Sequence, residues 1–263
     1  MSAIGLDIGH SAVKVAAGGS HTLFPTAAFP AVELSVEEAA RAAKAETVRV
    51  NGQDYFVGQT ALVHSGGRVL EGLADNWIET PEHIALLIAG YRRGLDALEG
   101  DEDPILMLGL PSRLHKAQQK RLQELAIMHL SIPQSQVRVL PQPLAAFMSI
   151  ILDEHGDTRP DRDLTEERWG VIDIGYYTTD YGLIQGGQWS HAGARSSAGA
   201  NVVAEQLQQR LAAQHAFTFP LRACEEMLRI KRAKLYGKTL DVTDDVDVIC
   251  DQFARQVIEG AAQ

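Results

Sequence analysis

The sequence predicts an α/β protein built from two related halves. Two similar stretches lead to this prediction: "LDIGHSAVKV", which begins at residue 6, and "IDIGYYTTDYG", which begins at residue 172. Each reads as an apolar strand that ends in Asp-Ile-Gly and is followed by a tight turn and a second strand. Helical patterns lie between and after the two stretches, so strands and helices are mixed along the chain.

The first half is predicted to begin with three short strands over residues 3–29. Residues 47–58 are predicted to form a hairpin, because Asn51-Gly52 is a strong two-residue turn between alternating strands. The other segments with strand or helix patterns are strands at 104–110, 136–140 and 169–195 and helices at 35–46, 80–98, 112–130, 143–154, 201–214 and 221–236.

Capping residues predict the starts of two of these helices. Ser35 and Glu38 have the spacing of a capping box, in which each side chain bonds a backbone amide of the other residue. Thr80 stands before Pro81, a pair typical of an N-cap and the first helical position. The polar segment 155–168 is predicted to separate the two domains.

The predicted domains are a first half at 1–160, with a small subdomain at about 25–70, and a second half at 161–263. The chain carries 34 acidic and 24 basic residues, a net charge of −10, which speaks against direct binding to nucleic acid or to an anionic membrane. Its two cysteines lack metal-ligand spacing. We therefore expect a reduced, cytoplasmic protein, with one disulfide as the alternative.

The two Asp-Ile-Gly turns have the chemistry of a phosphate and metal site. Glycine lets the backbone approach a ligand, and successive amides at a turn can surround phosphate oxygens. Ser11, Thr178 and Thr179 add hydroxyl donors. Asp7 and Asp173 would repel a bare polyphosphate, but they suit a Mg²⁺ held between them. The alternative is that each aspartate only caps a turn and each glycine only permits it.

In their order along the chain, these motifs resemble the actin-like ATPase superfamily, which includes sugar kinases and heat-shock chaperones. Within it they look most like the plasmid-segregation proteins of the ParM/StbA type. The resemblance implies an actin-like (ribonuclease H-like) duplicated fold, with two halves around a nucleotide cleft. It also implies ATP, or GTP, and Mg²⁺ as cofactors.

The resemblance assigns roles residue by residue. "DIGHSAVK" is similar to the family's first phosphate loop, and "DIGYYTTD" is similar to the second. Asp7 and Asp173 would hold the metal and take part in catalysis, and Gln142 would orient the attacking water. The nucleotide would contact Gly9, Ser11, Ala12, Lys14, Gly175, Tyr176, Tyr177, Thr178, Gly199 in the turn "SSAGANVV", and Lys231 and Lys234 in a helix near the adenosine.

Three departures from the family pattern change these expectations. Many relatives have glutamate where this chain has Gln142, and an amide is no base, so we expect slow turnover. Tyr176 and Tyr177 replace small residues, so they either crowd the phosphates or turn outward. The Gly-Gly-Gly adenosine loop does not occur after Gly199. We therefore expect the second half to be incomplete at its C-terminus, with a short natural form as the alternative.

The function implied is that of a filament-forming ATPase that moves or positions plasmid DNA. Its partners would be other copies of itself and a DNA-binding adaptor of the ParR type. The alternative is a non-hydrolysing actin-like scaffold that binds nucleotide and recruits partners. A small-molecule kinase on the same fold is a third interpretation, and no candidate substrate base supports it.

Overall fold

The computed structural model describes residues 2–65, 76–98, 103–153 and 155–262. Contacts divide the chain into two compact units, Met1–Ala145 and Ala146–Gln263. The domain limits inferred from the sequence stay predictions. Residues 66–70 of the small subdomain and residue 154 of one predicted helix lie outside the described part of the chain.

The first unit begins with four strands and continues with a mixture of strands and helices. Its elements are β1 (Ala3–Ile8), β2 (Ala12–Ala17), β3 (Ser20–Pro25), β4 (Ala28–Pro30), α1 (Glu37–Lys44), β5 (Thr47–Val50), β6 (Gln53–Val57), α2 (Gly58–His64), α3 (Pro81–Ala97), β7 (Ile105–Leu110), α4 (Ser112–Leu130), β8 (Val137–Pro141) and the start of α5 (Gln142–Ile151).

The main sheet of the first unit has the strand order β3-β2-β1-β7-β8. Strand β1 pairs antiparallel with β2 and parallel with β7. Helix α3 lies directly on β1, because a Cβ added at Gly90 would stand 2.5 Å from Leu6 and one at Gly94 would stand 2.6 Å from Ile4. Since side chains alternate along a strand, this packing leaves Asp7 on the opposite face of β1.

Local signals explain most of the element boundaries. Asn51 and Gly52 both have positive φ, at 49° and 85°, so the predicted hairpin of β5 and β6 is confirmed. The Thr80 side chain accepts the amide of His83, which confirms that cap. The Ser35 capping box is wrong: α1 begins after Val36, so the serine hydroxyl lies one residue too early to cap it.

The second unit repeats the hairpin arrangement and adds three helices. After α5, its elements are β9 (Arg168–Ile174), β10 (Thr178–Gln185), β11 (Gln188–Trp189), β12 (Arg195–Ala198), α6 (Asn201–His215), α7 (Leu221–Ile230), β13 (Arg232–Leu235), β14 (Lys238–Asp241) and α8 (Thr243–Ala262). Strand β10 pairs with β9, β11 and β12, and a separate apolar core joins α6, α7 and α8.

The helix predicted at 221–236 is too long. Helix α7 ends at Ile230, because Lys231 takes the left-handed conformation with φ of 54°. The chain then forms a second hairpin, β13 and β14, through Tyr236 and Gly237, which have φ values of 49° and 78°. The sequence signal that could have indicated this hairpin is Gly237, because a two-residue hairpin turn needs positive φ values and glycine adopts them readily.

Candidate functional site

Three residues predicted to act on nucleotide meet in the first unit. The register of β1 and β2 places Lys14 opposite Asp7. The Lys14 amine donates to Oδ2 of Asp7 at 2.9 Å, and the side-chain amide of Gln142 donates to Oδ1 at 2.8 Å. Both oxygens of the carboxylate are therefore engaged. We call this group the Asp7 cluster.

The Asp7 cluster depends on where the chain leaves the sheet. Gln142 is the first residue of α5 and directly follows β8, which is separated from β1 by β7. A Cβ added at Gly109 in β7 would stand 3.1 Å from Cγ of Gln142 and 3.8 Å from Asp7 Oδ1. Gly109 thus leaves the space through which Gln142 reaches Asp7. Sequence reasoning missed this role, although a glycine in an apolar strand was the available signal.

The first loop, residues 9–11, is tied to the end of β3 by a buried threonine. The Thr26 hydroxyl donates to the carbonyl of Gly9, and the Thr26 amide donates to the carbonyl of Ser11 at 3.4 Å. With these carbonyls turned to Thr26, the two bonds restrict the loop between β1 and β2. Ser11 itself is exposed. Nothing in the sequence pattern identified Thr26 as part of this site.

The second loop, residues 175–178, is tied to the start of α6. The backbone amides of residues 199–201 donate to the carbonyls of residues 175–177 at 2.7 to 3.0 Å. Within the loop, the amide of Gly175 donates to the carbonyl of Thr178 at 2.8 Å. The three hydrogen bonds to residues 199–201 use carbonyl oxygens of the second loop. The amides of the second loop therefore do not hold the loop to α6.

Gly199 is the closest point of that contact. A Cβ added there would stand 2.5 Å from each of three backbone atoms, belonging to Tyr176, Tyr177 and Thr178. Cβ atoms essentially never approach other atoms so closely, and backbone cannot turn aside as a flexible side chain can. The glycine predicted from the motif is therefore required by the geometry of the second loop.

A buried carboxylate stands beside the second loop. Asp180 is 1% exposed and lies opposite Asp173 in the pairing of β9 and β10. It accepts hydrogen bonds from the hydroxyls of Thr178, at 2.8 Å, and Ser196, at 2.6 Å. The sequence motif includes Asp180, but it does not indicate that this carboxylate is buried and binds two hydroxyls. Its carboxylate holds the hydroxyl of Thr178, one of the side chains predicted to contact nucleotide.

The two tyrosines of the second loop pack on each other. Their ring centroids are 4.6 Å apart with an angle of 84° between the planes, an edge-to-face pair. The Tyr176 hydroxyl also donates to Glu225 on α7. Burial raises the pKa of Tyr176 well above its ordinary value, and the bond to Glu225 adds to that shift. The phenol therefore stays a neutral donor, and Tyr176 is directed to α7.

The two lysines predicted near the adenosine do not share a helix. The Lys231 amine donates to Asp247 on α8 at 2.5 Å, and this bond raises the pKa of Lys231. Lys234 lies on β13 and lines a groove of about 520 Å³ with Met227 and Ile230. The residues that line the groove do not include the second loop. The expectation of one basic helix is therefore wrong.

The carboxylates of the described residues form no cluster of three or more potential metal ligands. Mg²⁺ is commonly held by one or two carboxylates together with water and phosphate oxygens, so Asp7 and Asp173 suit that ion by type. Among the helices of the described part of the chain, none combines the length and the apolar character that a membrane span needs.

Comparison with known families identifies the fold. Residues 5–144 match the model of the N-terminal domain of actin-like proteins. The chain belongs to the actin-like proteins. Residues 171–263 of this actin-like protein match the C-terminal domain of archaeal MreB-like actin homologues. The predicted actin-like fold is therefore confirmed, as is the resemblance stated from the motifs.

Solved structures agree with the family assignment of this actin-like protein. A 15-stranded ParM filament from Clostridium botulinum matches with a TM-score of 0.74 and 15% identity, over 99% of this chain and 83% of the other. The archaeal actin homologue Ta0583 matches with a TM-score of 0.72 and 18% identity, over 99% of this chain and 81% of the other. The structure of the same homologue in complex with ADP matches with a TM-score of 0.67 and 18% identity, and the coverage of the two chains is the same. No curated protein matches the chain.

Proposed function

We propose that this actin-like protein is a Mg²⁺-dependent nucleoside triphosphatase, acting on ATP or GTP, whose nucleotide state controls its assembly into filaments. The observation that carries the proposal is the Asp7 cluster, in which Lys14, assigned to phosphate, and Gln142, assigned to water, both bind the carboxylate assigned to the metal. The confirmed family supports it, since one member in the comparison is an ADP complex and another is a filament.

The first loop has donors suited to a polyphosphate. Lys14 is 62% exposed in its side chain, so its amine can leave Asp7 for a phosphate oxygen at small cost. A Cβ added at Gly9 would stand 3.0 Å from the carbonyl of Ala12, so the glycine keeps this turn tight. Ser11 adds an exposed hydroxyl. These groups fit an anion with several oxygens.

The second loop is suited to the same task through its backbone. Gly175 and Gly199 fix its shape, and its carbonyls are bonded to the start of α6. Amides of Tyr176 and Tyr177 are then the natural donors to phosphate, while the two rings pack on each other and the Tyr176 hydroxyl donates to Glu225 on α7. This arrangement favours the outward orientation of the two side chains.

Asp7 and Asp173 are the carboxylates that we assign to Mg²⁺, which when bound would neutralise phosphate charge. One oxygen of Asp7 accepts a hydrogen bond from Lys14, and the other accepts the bond that fixes the side chain of Gln142. The amide oxygen of Gln142 can then accept a hydrogen bond from a water. Because an amide has no useful basicity, Gln142 orients this water without removing its proton, and turnover is slow.

The cellular role that we propose is the positioning of plasmid DNA by filaments. The chain is acidic, so DNA is reached through a separate basic adaptor of the ParR type rather than directly. The filament is a head-to-tail assembly of copies, as open polymers require.

Three measurements on the purified chain test the proposal. Calorimetric titration with ATP and GTP in Mg²⁺ gives binding, release of inorganic phosphate gives hydrolysis, and pelleting after nucleotide addition gives assembly. We expect micromolar binding, slow release and a pellet that depends on nucleotide. Asp7→Ala serves as the inactive control. Absence of nucleotide binding at millimolar concentration in the wild type would refute the proposal.

The alternative function is a scaffold that binds nucleotide without hydrolysing it. The specific observation in its favour is that the water-orienting position is an amide already bonded to Asp7. A scaffold would bind ATP as tightly as the ATPase does, release no phosphate over hours, and pellet equally with ATP and with a non-hydrolysable analogue. Phosphate release stoichiometric with bound ATP would exclude it.

A further inference from the structure

The tip of the first loop rests on an aromatic ring from the segment before α3. His10 stacks on Trp77, with 6.4 Å between the ring centroids and 25° between the ring planes. Trp77 meets His83 edge-on, at 5.4 Å and 84°. The three side chains form a continuous series from the loop into α3, which we call the ring stack.

The inner end of the ring stack is fixed in the core. His83 is 4% exposed and lies in the first turn of α3, where its amide donates to the Thr80 hydroxyl at 3.2 Å. Burial, with a smaller contribution from His10, lowers the pKa of His83 to about 3, so the ring is neutral near pH 7. One end of the stack is therefore held by a helix and its cap.

Trp77 and His83 contact each other through their rings and not through a hydrogen bond. Among the residues that the structure describes, Nδ1 of His83 and Nε1 of Trp77 are buried and have no hydrogen-bond partner. Leaving two buried polar atoms without partners is costly. A phenylalanine or leucine core would avoid that cost, so the two residues are poor choices if apolar filling were their only role.

We propose that Trp77 is a positioning residue for the first phosphate loop. The inference rests on the proposed nucleotide function. His10 lies between Gly9 and Ser11, so a fixed His10 side chain restricts the backbone on both sides of it. The loop carbonyls are already held by Thr26, and the ring stack supplies the contact at the tip.

The physical gain is a loop that is ordered before the nucleotide arrives. A loop that must be ordered on binding reduces affinity by the entropy that it loses. The gain in affinity applies to any ligand whose phosphates contact the first loop, whichever base the ligand carries. Trp77 thus contributes to phosphate affinity without itself touching the ligand.

Affinity for two ligands tests the role of Trp77. Calorimetry with ATP and with inorganic triphosphate, both in Mg²⁺, is compared for the wild type, Trp77→Ala and Trp77→Phe. We expect Trp77→Ala to weaken the affinity for both ligands by the same factor, about tenfold. Trp77→Phe should keep most of the wild-type affinity, because it leaves a ring under His10. Trp189→Ala, on β11 of the second unit, is the matched control and should leave both affinities unchanged.

Hydrogen exchange without nucleotide separates this inference from the proposed function. We expect amide exchange of residues 9–12 to accelerate in Trp77→Ala but not in Trp77→Phe, while the amides of β7 keep their native protection. If the wild type binds neither ligand, the proposed function fails, and the ring stack is judged on exchange alone. Native exchange of residues 9–12 in Trp77→Ala would overturn the inference, as would native affinity for both ligands.

Discussion

The side-chain amide of Gln142 donates a hydrogen bond to Asp7 across 135 positions of sequence, with a donor–acceptor distance of 2.8 Å. Strand β7 lies between β1, which carries Asp7, and β8, which ends directly before Gln142, and the absence of a side chain at Gly109 makes the contact possible. The bond fixes the orientation of the amide, since only its NH₂ group can donate to a carboxylate. Its oxygen is then the group available to a water.

Replacing Gln142 tests whether it acts mainly in the transition state. We expect Gln142→Ala to lower kcat by about 10- to 100-fold while nucleotide affinity changes by less than about twofold. Phosphate release gives the rate and calorimetry gives the affinity. An equal loss in both would mean that the side chain only shapes the pocket.

The Asp7 contact also predicts the effect of glutamate at this position. Gln142→Glu would place a second carboxylate where an amide now donates to Asp7. Like charges at that distance repel, and the hydrogen bond is lost. We therefore expect Gln142→Glu to be no faster than Gln142→Ala near pH 7. A rate above that of the wild type would show that the added base outweighs the repulsion.

Asp173 is expected to be required for Mg²⁺-dependent hydrolysis but not for folding. Its position at the end of β9, next to a loop, contributes little to the core, so Asp173→Ala should keep the wild-type melting temperature within a few degrees. Hydrolysis should fall to background at any Mg²⁺ concentration. Asp251→Ala, which removes an exposed acid of the same unit, is the control and should hydrolyse normally. Native hydrolysis by Asp173→Ala would mean that the metal assignment is wrong.

Gly199, which lies between β12 and α6 and contacts the second loop, is predicted to be sensitive to substitution. Gly199→Ala adds a Cβ at 2.5 Å from three backbone atoms, so the loop and the start of α6 must separate. We expect a loss of about 1–3 kcal/mol in the free energy of unfolding, the usual cost of overpacking. The control is Gly170→Ala on β9, where an added Cβ meets nothing within 4 Å. Urea unfolding of both variants gives the comparison, and equal stabilities would contradict the close contact.

Local sequence signals predicted much of the fold and the pairing of Lys14 with Asp7 at the candidate site. The Asn51-Gly52 turn and the Thr80 cap depend on neighbouring residues only, so the pattern was sufficient for both. The two Asp-Ile-Gly hairpins were also found, because the strand, the turn and the next strand are consecutive in sequence. Lys14 lies opposite Asp7 for the same reason.

The remaining contacts depend on how distant segments pack. No periodicity indicates that Thr26 binds the first loop, that Glu225 receives the Tyr176 hydroxyl, or that Gly109 gives Gln142 its path. The predicted basic helix failed for a different reason. The apolar spacing continues past Ile230, whereas the turn at Tyr236 and Gly237 folds this segment into the hairpin of β13 and β14.

The buried His83 predicts how acid affects stability. Its pKa in the folded protein is about 3, whereas an unfolded chain has the ordinary value of 6.5. Below pH 6.5 the unfolded chain therefore binds a proton that the folded protein does not, and the free energy of unfolding falls as the pH falls toward 3. Between pH 7 and pH 5 this one group should remove about 2 kcal/mol.

Two variants isolate that contribution. In His83→Leu the titrating group is absent from both states, so the loss of stability between pH 7 and pH 5 should be smaller than in the wild type by about 2 kcal/mol. This holds even if the variant is less stable at both pH values, because the measured quantity is a difference within one protein. His21→Leu, which removes a histidine exposed on β3, is the matched control. Urea unfolding at the two pH values measures all three proteins. An unchanged pH dependence in His83→Leu would mean that folding does not lower the pKa of His83, so that the ring against Trp77 would be protonated at pH 5 in the folded protein.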